Sequence, residues 1–332
     1  MKAFLATLGL ALLLLGGPAV AQPAPTAPVL APATNAPSVQ GPNARTEMWR
    51  AIRQGEQGSV TIADTRAGVM IQSEGENWRA LRNGPLSVYG SWALLGMIGL
   101  LAVFFALRGR IRIEAGPAGS TIERFSGVDR FAHWLTATCF IVLALTGLNL
   151  LYGRYVLLPL IGPQAFSLLT IWGKYAHNYL AFGFMLGIVM MFVLWVRHNI
   201  PGWHDVIWVL KGGGLFVKGV HPPSRKFNAG QKVIFWSVIL GGAAVSVSGV
   251  YLMFPLMFAD MQQMQWMQVV HAAVAIVLIA IIVAHIYIGS VGMEGAFDAM
   301  GTGRVDLNWA REHHNLWVAE VLGEKPPRHG HD

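Results

Sequence analysis

The chain has one cysteine, Cys139, in 332 residues. A single thiol excludes an intramolecular disulfide, the paired cysteines of covalent haem attachment and a cysteine-ligated iron–sulfur cluster. Any metal bound by side chains here must be held by histidine. Charge is scarce too: Asp, Glu, Lys and Arg make up 12% of the chain, against 54% hydrophobic residues. The net charge of +7 is no nucleic-acid signature, because the basic residues flank apolar runs instead of forming a patch. What is abundant is apolar: mean hydropathy is +0.48, with 12 Trp and 14 Met. That is the composition of a membrane protein.

Residues 1–21 read as a secretory signal. Lys2 gives the basic start, 11–16 the apolar centre, and Ala19-Val20-Ala21 the small-residue cleavage site. Residues 22–42 are rich in Pro and Ala without periodicity and read as a linker. In the remainder of the 22–87 segment, Trp49-Arg50-Ala51-Ile52-Arg53 recurs as Trp78-Arg79-Ala80-Leu81-Arg82, with β-prone pieces at 59–62 and 68–71 between them. This predicts a small external element, a hairpin between two helical turns. Partner docking and chance similarity of two amphipathic pieces both remain open for it.

Five apolar runs of bilayer-spanning length follow, at 88–107, 132–151, 175–196, 233–254 and 269–291. The connection 108–130 carries Arg108, Arg110, Arg112, Arg124 and Arg130, and 197–232 carries Arg197, Lys211, Lys218, Arg225, Lys226 and Lys232. The opposite connections are poor in cations: Arg154 and Lys174 in 152–174, and none in 255–268. Cytoplasmic loops carry the Lys and Arg excess, so the connections 108–130 and 197–232 and the tail 293–332 are expected on the cytoplasmic side of a bacterial inner membrane. The N-terminal segment is then expected in the periplasm, as the signal sequence also implies.

The 11 histidines sort by depth. His313 and His314, in a charged stretch, and His329 and His331, near the end of the chain, are expected to be solvent-exposed. His198, His204 and His221 lie among Trp, Pro and Lys of one connection and read as interfacial side chains. Four remain at membrane depth: His133, His177, His271 and His285. The last two share one run and are 14 positions apart, about 21 Å and about four helical turns, so both point to nearly the same side. Following the chain through alternate spans puts His133 and His285 near the cytoplasmic side, and His177 and His271 near the external side. Two neutral imidazoles facing across a bundle core are an axial pair for a b-type haem. Ionisable groups at this depth are functional candidates in any case. Gly147, Gly183, Gly187 and Gly241-Gly242 suit the close approach of either a macrocycle or a neighbouring helix.

Before the fourth run stands Lys226-Phe227-Asn228-Ala229-Gly230-Gln231-Lys232. Asn228 and Gln231 offer uncharged donors and acceptors suited to a quinone carbonyl, and Gly230 lets a ring approach the backbone. An ordinary helix N-cap followed by interfacial Lys and Trp explains the same residues equally well.

Asp129-Arg130-Phe131-Ala132-His133-Trp134, His198-Asn199-Ile200-Pro201, Asn228-Ala229-Gly230-Gln231-Lys232 with Phe235-Trp236, His271-Ala272-Ala273 and His285-Ile286-Tyr287 together resemble the γ subunit of respiratory formate dehydrogenase. That family is a membrane di-haem cytochrome b. The resemblance covers about residues 123–320, and the N-A-G-Q-K loop is its specific part; intramembrane histidines alone are shared with the cytochrome b subunits of nickel–iron hydrogenases. It implies an all-α membrane protein with a four-helix di-haem core at 123–292. It also implies one haem b on His177 and His271, a second on His133 and His285, and a quinone at Asn228, Gly230 and Gln231 with His285 close by. The implied partners are an iron–sulfur β subunit and a molybdenum or tungsten catalytic α subunit. The run at 88–107 and everything before it depart from the simpler four-span members.

Overall fold

The computed structural model describes residues 53–54, 73–217 and 219–325. The expected signal sequence, the linker, the β-prone pieces and His329 and His331 lie outside the described residues.

Helix α1 (Ser73–Leu81) passes through a π-helical turn, Arg82–Leu86, into α2 (Ser87–Arg108). Pro85 sits in that turn, where its missing N–H breaks the regular ladder. The Trp78–Arg82 piece is thus helical and joined to the first span. After strand β1 (Thr121–Glu123) come α3 (Gly127–Val156) and α4 (Leu158–Trp195). Within α4, Gly162 at φ 77° followed by Pro163 separates one short turn from the long helix. The short α5 (Trp203–Leu210) follows. Helix α6 (Ala229–Trp236) continues through a π turn, Ser237–Gly241, into α7 (Gly242–Met253), and α8 (Met261–Tyr287) ends in a third π turn, Ile288–Gly292.

Among the described residues five helical segments are long and apolar enough to cross a bilayer: Asn77–Arg108, Gly127–Val156, Leu158–His198, Ala229–Met253 and Met261–Gly292. They correspond one for one to the expected runs, and each starts upstream of the expected limit. For three of them the reason is the cap. Ser126, Asn228 and Asp260 each accept the backbone N–H three residues on, from Asp129, Gln231 and Gln263, and those side chains return to the cap N–H. Polar capping boxes lie outside an apolar run, so hydropathy places the start too late.

Glycine sets the packing. A Cβ on Gly187 would collide with Thr136 of α3, whose backbone lies 3.1 Å away, and one on Gly183 would meet the Cys139 sulfur at 2.9 Å. Helices α3 and α4 therefore approach backbone to backbone. Gly241, in the π turn before α7, makes room for the Leu278 side chain of α8, and Gly242 for the Phe184 and Ile188 side chains of α4. The first span joins the bundle beside α8 and α3, where Gly90 faces Ile276 and Tyr152, and Tyr152 Oη donates to the Ser87 carbonyl at 2.9 Å.

The region after α8 is folded. Strand β2 (Arg304–Asp306) pairs antiparallel with β1, with Ile122 opposite Val305, and α9 (Asp298–Gly301), α10 (Leu307–His313) and α11 (Asn315–Leu322) pack around it. Glu312 accepts the N–H groups of Glu114 and Ala115 at 3.1 and 2.9 Å. Glu114 in turn accepts the Gly219 N–H, which holds its carboxyl below the usual value. His314, expected to be solvent-exposed, is completely buried and hydrogen-bonded through Nδ1 to the Arg225 carbonyl at 2.7 Å. His313 is half-buried against Trp309. The charged stretch looked solvated in sequence because its partners lie some 90 to 200 residues earlier in the chain.

Candidate functional site

The Asp129–Trp134 motif anchors α3 at both of its neighbours. Asp129 closes the capping box with Ser126 and accepts Trp195 Nε1–H, from the end of α4, at 2.6 Å. Arg130 and Trp134 donate to the Gly301 and Met300 carbonyls at 3.0 and 2.8 Å. These contacts fix the height and rotation of α3, and with them the position of His133.

The four histidines meet in two pairs. The rings of His133 on α3 and His285 on α8 have centroids 6.2 Å apart at an interplanar angle of 60°. Those of His177 on α4 and His271 on α8 are 6.1 Å apart at 58°. An imidazole nitrogen lies about 1.1 Å from its ring centroid and bonds a metal at about 2.0 Å, so two rings on opposite sides of one metal have centroids about 6.2 Å apart. Both pairs match that spacing, which also falls within tilted or edge-to-face ring contact but is too long for a direct imidazole–imidazole hydrogen bond. Each pair offers two imidazole nitrogens in an apolar bundle, a donor set that would fit a haem iron.

The surroundings of the two pairs differ. His177 Nδ1 lies 2.8 Å from Thr146 Oγ1, and His271 Nδ1 lies 3.1 Å from Ser248 Oγ. In both, Nδ1 is engaged with a hydroxyl and Nε2 is left for a metal. Gly147 and Gly249 follow these hydroxyl residues; a Cβ on Gly249 would crowd Cε1 of His271 at 3.2 Å, whereas one on Gly147 would lie in ordinary contact with Cε1 of His177 at 3.6 Å. At the other pair, His133 Nδ1 is buried without a hydrogen-bond partner among the described residues. Of the glycines expected near a macrocycle or a helix, Gly147 flanks a histidine, whereas Gly183, Gly187, Gly241 and Gly242 serve helix packing. Thr146, Ser248 and Gly249 escaped the sequence reading, although a hydroxyl–glycine pair in each of two apolar runs was visible.

In the 226–232 loop, Asn228 Oδ1 accepts the Gln231 N–H at 2.9 Å and Gln231 Oε1 accepts the Asn228 N–H at 3.1 Å. The capping reading is therefore realised. It occupies the two side-chain oxygens and leaves both amide nitrogens as donors. Gly230 faces the Trp208 ring, 3.1 Å from a built Cβ. Lys232, nearly buried, pairs with Asp205 at 2.7 Å and also donates to the Ile200 carbonyl. Arg124, expected only as a topology-setting cation, donates from Nη2 to Gln231 Oε1 and to the Lys226 carbonyl. Its burial lowers its pKa to about 9.

Residues 124–303 match the family described as prokaryotic cytochrome b561. The chain is 32% identical over 208 residues to the nitrate-inducible formate dehydrogenase cytochrome b556(Fdn) subunit of Escherichia coli K12, a match spanning 60% of this chain and 91% of that protein. It is 30% identical over 206 residues to the formate dehydrogenase cytochrome b556(fdo) subunit of the same strain, at 60% and 93% coverage. It is 25% identical over 206 residues to the formate dehydrogenase cytochrome b556 subunit of Haemophilus influenzae, at 59% and 82%. All four paired histidines and the 226–232 loop fall inside the family match, and the span Asn77–Arg108 falls outside it. The chain belongs to the prokaryotic cytochrome b561 family and is a homologue of formate dehydrogenase cytochrome b subunits.

Proposed function

We propose that this protein is the electron-transferring membrane subunit of a formate dehydrogenase complex, carrying two b haems on His177/His271 and His133/His285. Family membership implies haem b. The observation that supports two is the doubled histidine pair, both at metal-bridging separation and both joined to the same helix, α8. The bound haems supply one-electron chemistry. The chain's own part is to hold them in line, exclude water and keep their ligands neutral.

Electrons enter from an iron–sulfur subunit on the periplasmic side and leave to a quinone near the cytoplasmic face. Formate is oxidised on a separate molybdenum or tungsten subunit. The cation-rich connections 108–130 and 197–232 support that orientation. Asn228, Gly230 and Gln231 form the quinone-binding edge, with the amide nitrogens of Asn228 and Gln231 donating to a quinone oxygen and His285 close by. An inward electron met by cytoplasmic protons adds to the membrane potential, about 2.3 kcal/mol per charge at 100 mV.

Affinity purification from membranes, followed by mass spectrometry and an optical spectrum, tests the reading. Iron–sulfur and molybdenum or tungsten subunits with a reduced b-type band are expected. A hydrogenase large subunit in their place would assign the protein to a hydrogenase, and no b-type band would end the electron-transfer reading.

A further inference from the structure

The two histidine pairs are built to the same separation but not with the same support. Thr146 and Ser248 each turn their hydroxyl proton back onto their own helix: Thr146 Oγ1 lies 2.7 Å from the Val142 carbonyl, and Ser248 Oγ lies 2.7 Å from the Ala244 carbonyl. With its one proton committed to the carbonyl four residues back, each hydroxyl presents only lone pairs to the neighbouring ring. That arrangement favours His177 and His271 carrying the proton on Nδ1, directed at Oγ at 2.8 and 3.1 Å with the Leu143 and Val245 carbonyls beside it. In that tautomer both Nε2 lone pairs face the space between the rings. Gly249 removes a Cβ that would crowd His271, whereas a Cβ at Gly147 would rest in ordinary contact with His177. The device is repeated: Thr146-Gly147 on α3 backs the histidine of α4, and Ser248-Gly249 on α7 backs that of α8.

We propose that Thr146-Gly147 and Ser248-Gly249 form a paired cradle that orients His177 and His271 and holds the haem on that pair at a lower potential than the haem on His133/His285. This rests on the haem assignment above and adds a direction to it. A ligated imidazole whose Nδ1–H is hydrogen-bonded is a stronger donor, and a stronger donor favours the ferric over the ferrous iron. His133 Nδ1 has no such acceptor among the described residues, so on this geometry its imidazole is the weaker donor and would favour the ferrous form. With haem held on both pairs, this order would favour one-electron transfer from the His177/His271 side to the His133/His285 side. The Nδ1 protons stay where they are, so the transfer needs no proton movement inside the bundle. Thr146 and Ser248 act through the histidines and are positioning residues.

The test is a spectroscopic redox titration of the purified holoprotein carrying Thr146→Val, Ser248→Ala or Thr146→Ser. Thr146→Val and Ser248→Ala should each raise the lower of two midpoint potentials, giving a roughly 5-fold higher ferrous-to-ferric ratio for that haem at fixed ambient potential, the worth of one hydrogen bond. The higher potential should stay in place, and Thr146→Ser should titrate as wild type. Loss of one haem in Thr146→Val with retention in Thr146→Ser also supports the cradle. Two bound haems with neither potential moved would overturn it, as would a shift confined to the higher-potential haem, or haem loss in Thr146→Ser. Absence of two haems in the wild-type protein would instead overturn the function proposed above, so the two failures are distinguishable.

Discussion

Arg124 Nη2 donates to Gln231 Oε1 at 3.2 Å, joining the strand that precedes α3 to the cap of α6 across 107 positions of sequence. The same oxygen already accepts the Asn228 N–H. Around the guanidinium lie the rings of Phe125, Trp309 and Trp317, with the Arg124 Cζ 5.1, 5.3 and 6.0 Å from their centroids. The folded C-terminal region and the proposed quinone edge therefore share one buried cation.

Arg124→Met should loosen the 226–232 loop without removing either haem. The Lys226 carbonyl and Gln231 Oε1 each lose a charged hydrogen bond, worth about 1.5–3 kcal/mol. Faster amide exchange across α6 and β1 is the expected reading, and Arg124→Lys should not restore it, because an ammonium cannot reproduce the planar fork.

Gln231→Leu removes the cap, the Arg124 acceptor and the amide donor together. Gln231→Glu keeps the acceptor side of the cap but replaces the NH2 donor with a carboxylate oxygen and adds a negative charge beside Arg124. On the proposed function, quinone reduction should fall about 10-fold or more in both, the cost of one specific hydrogen bond, with both b bands intact. A normal rate in Gln231→Glu would limit this residue to capping.

His271→Ala and His133→Ala should each halve the haem content measured by pyridine haemochrome, and each should delete a different midpoint potential. If both substitutions removed the same haem, the pairing would be wrong. His285→Ala and His133→Ala should give indistinguishable titrations.

Gly187→Ala should lower the detergent-solubilised thermal midpoint. Its Cβ has no room against Thr136, so α3 and α4 must separate at a cost of about 1–3 kcal/mol. Gly99→Ala is the control: it faces open space and should leave the midpoint in place.

His314 carries the pH dependence of the C-terminal region. It is wholly buried, and burial together with the Arg124 charge holds its pKa well below the usual value. Burial also lowers that of His313, to about 4. Both are neutral in the fold and titrate near 6.5 when unfolded, so below that pH the unfolded chain binds more protons and stability falls as pH falls. The loss for His314 is about 1.4 kcal/mol per pH unit once below about 6.5. Amide exchange over 307–322 should accelerate from pH 7.5 to 5.5, and His314→Gln should reduce that acceleration.

Hydropathy and helical period are local properties, and they determined the five spans, the 14-residue spacing of His271 and His285, and the depths that set His133 level with His285 and His177 level with His271. A bilayer fixes how long a span must be, and an α-helix fixes how far apart two residues on it lie, so no tertiary information was needed. Only the tertiary structure decided the rotation of each helix about its axis. That rotation put Thr146 and Ser248 behind two of the histidines, left His133 Nδ1 without an acceptor among the described residues, and committed most of the candidate glycines to helix packing. It also decided that His314 and Glu312 are buried, since their partners are Arg225 and the Glu114–Ala115 backbone. Contacts between residues some 90 to 200 positions apart leave no periodic trace in the chain, so they become visible only when the loops are folded against one another.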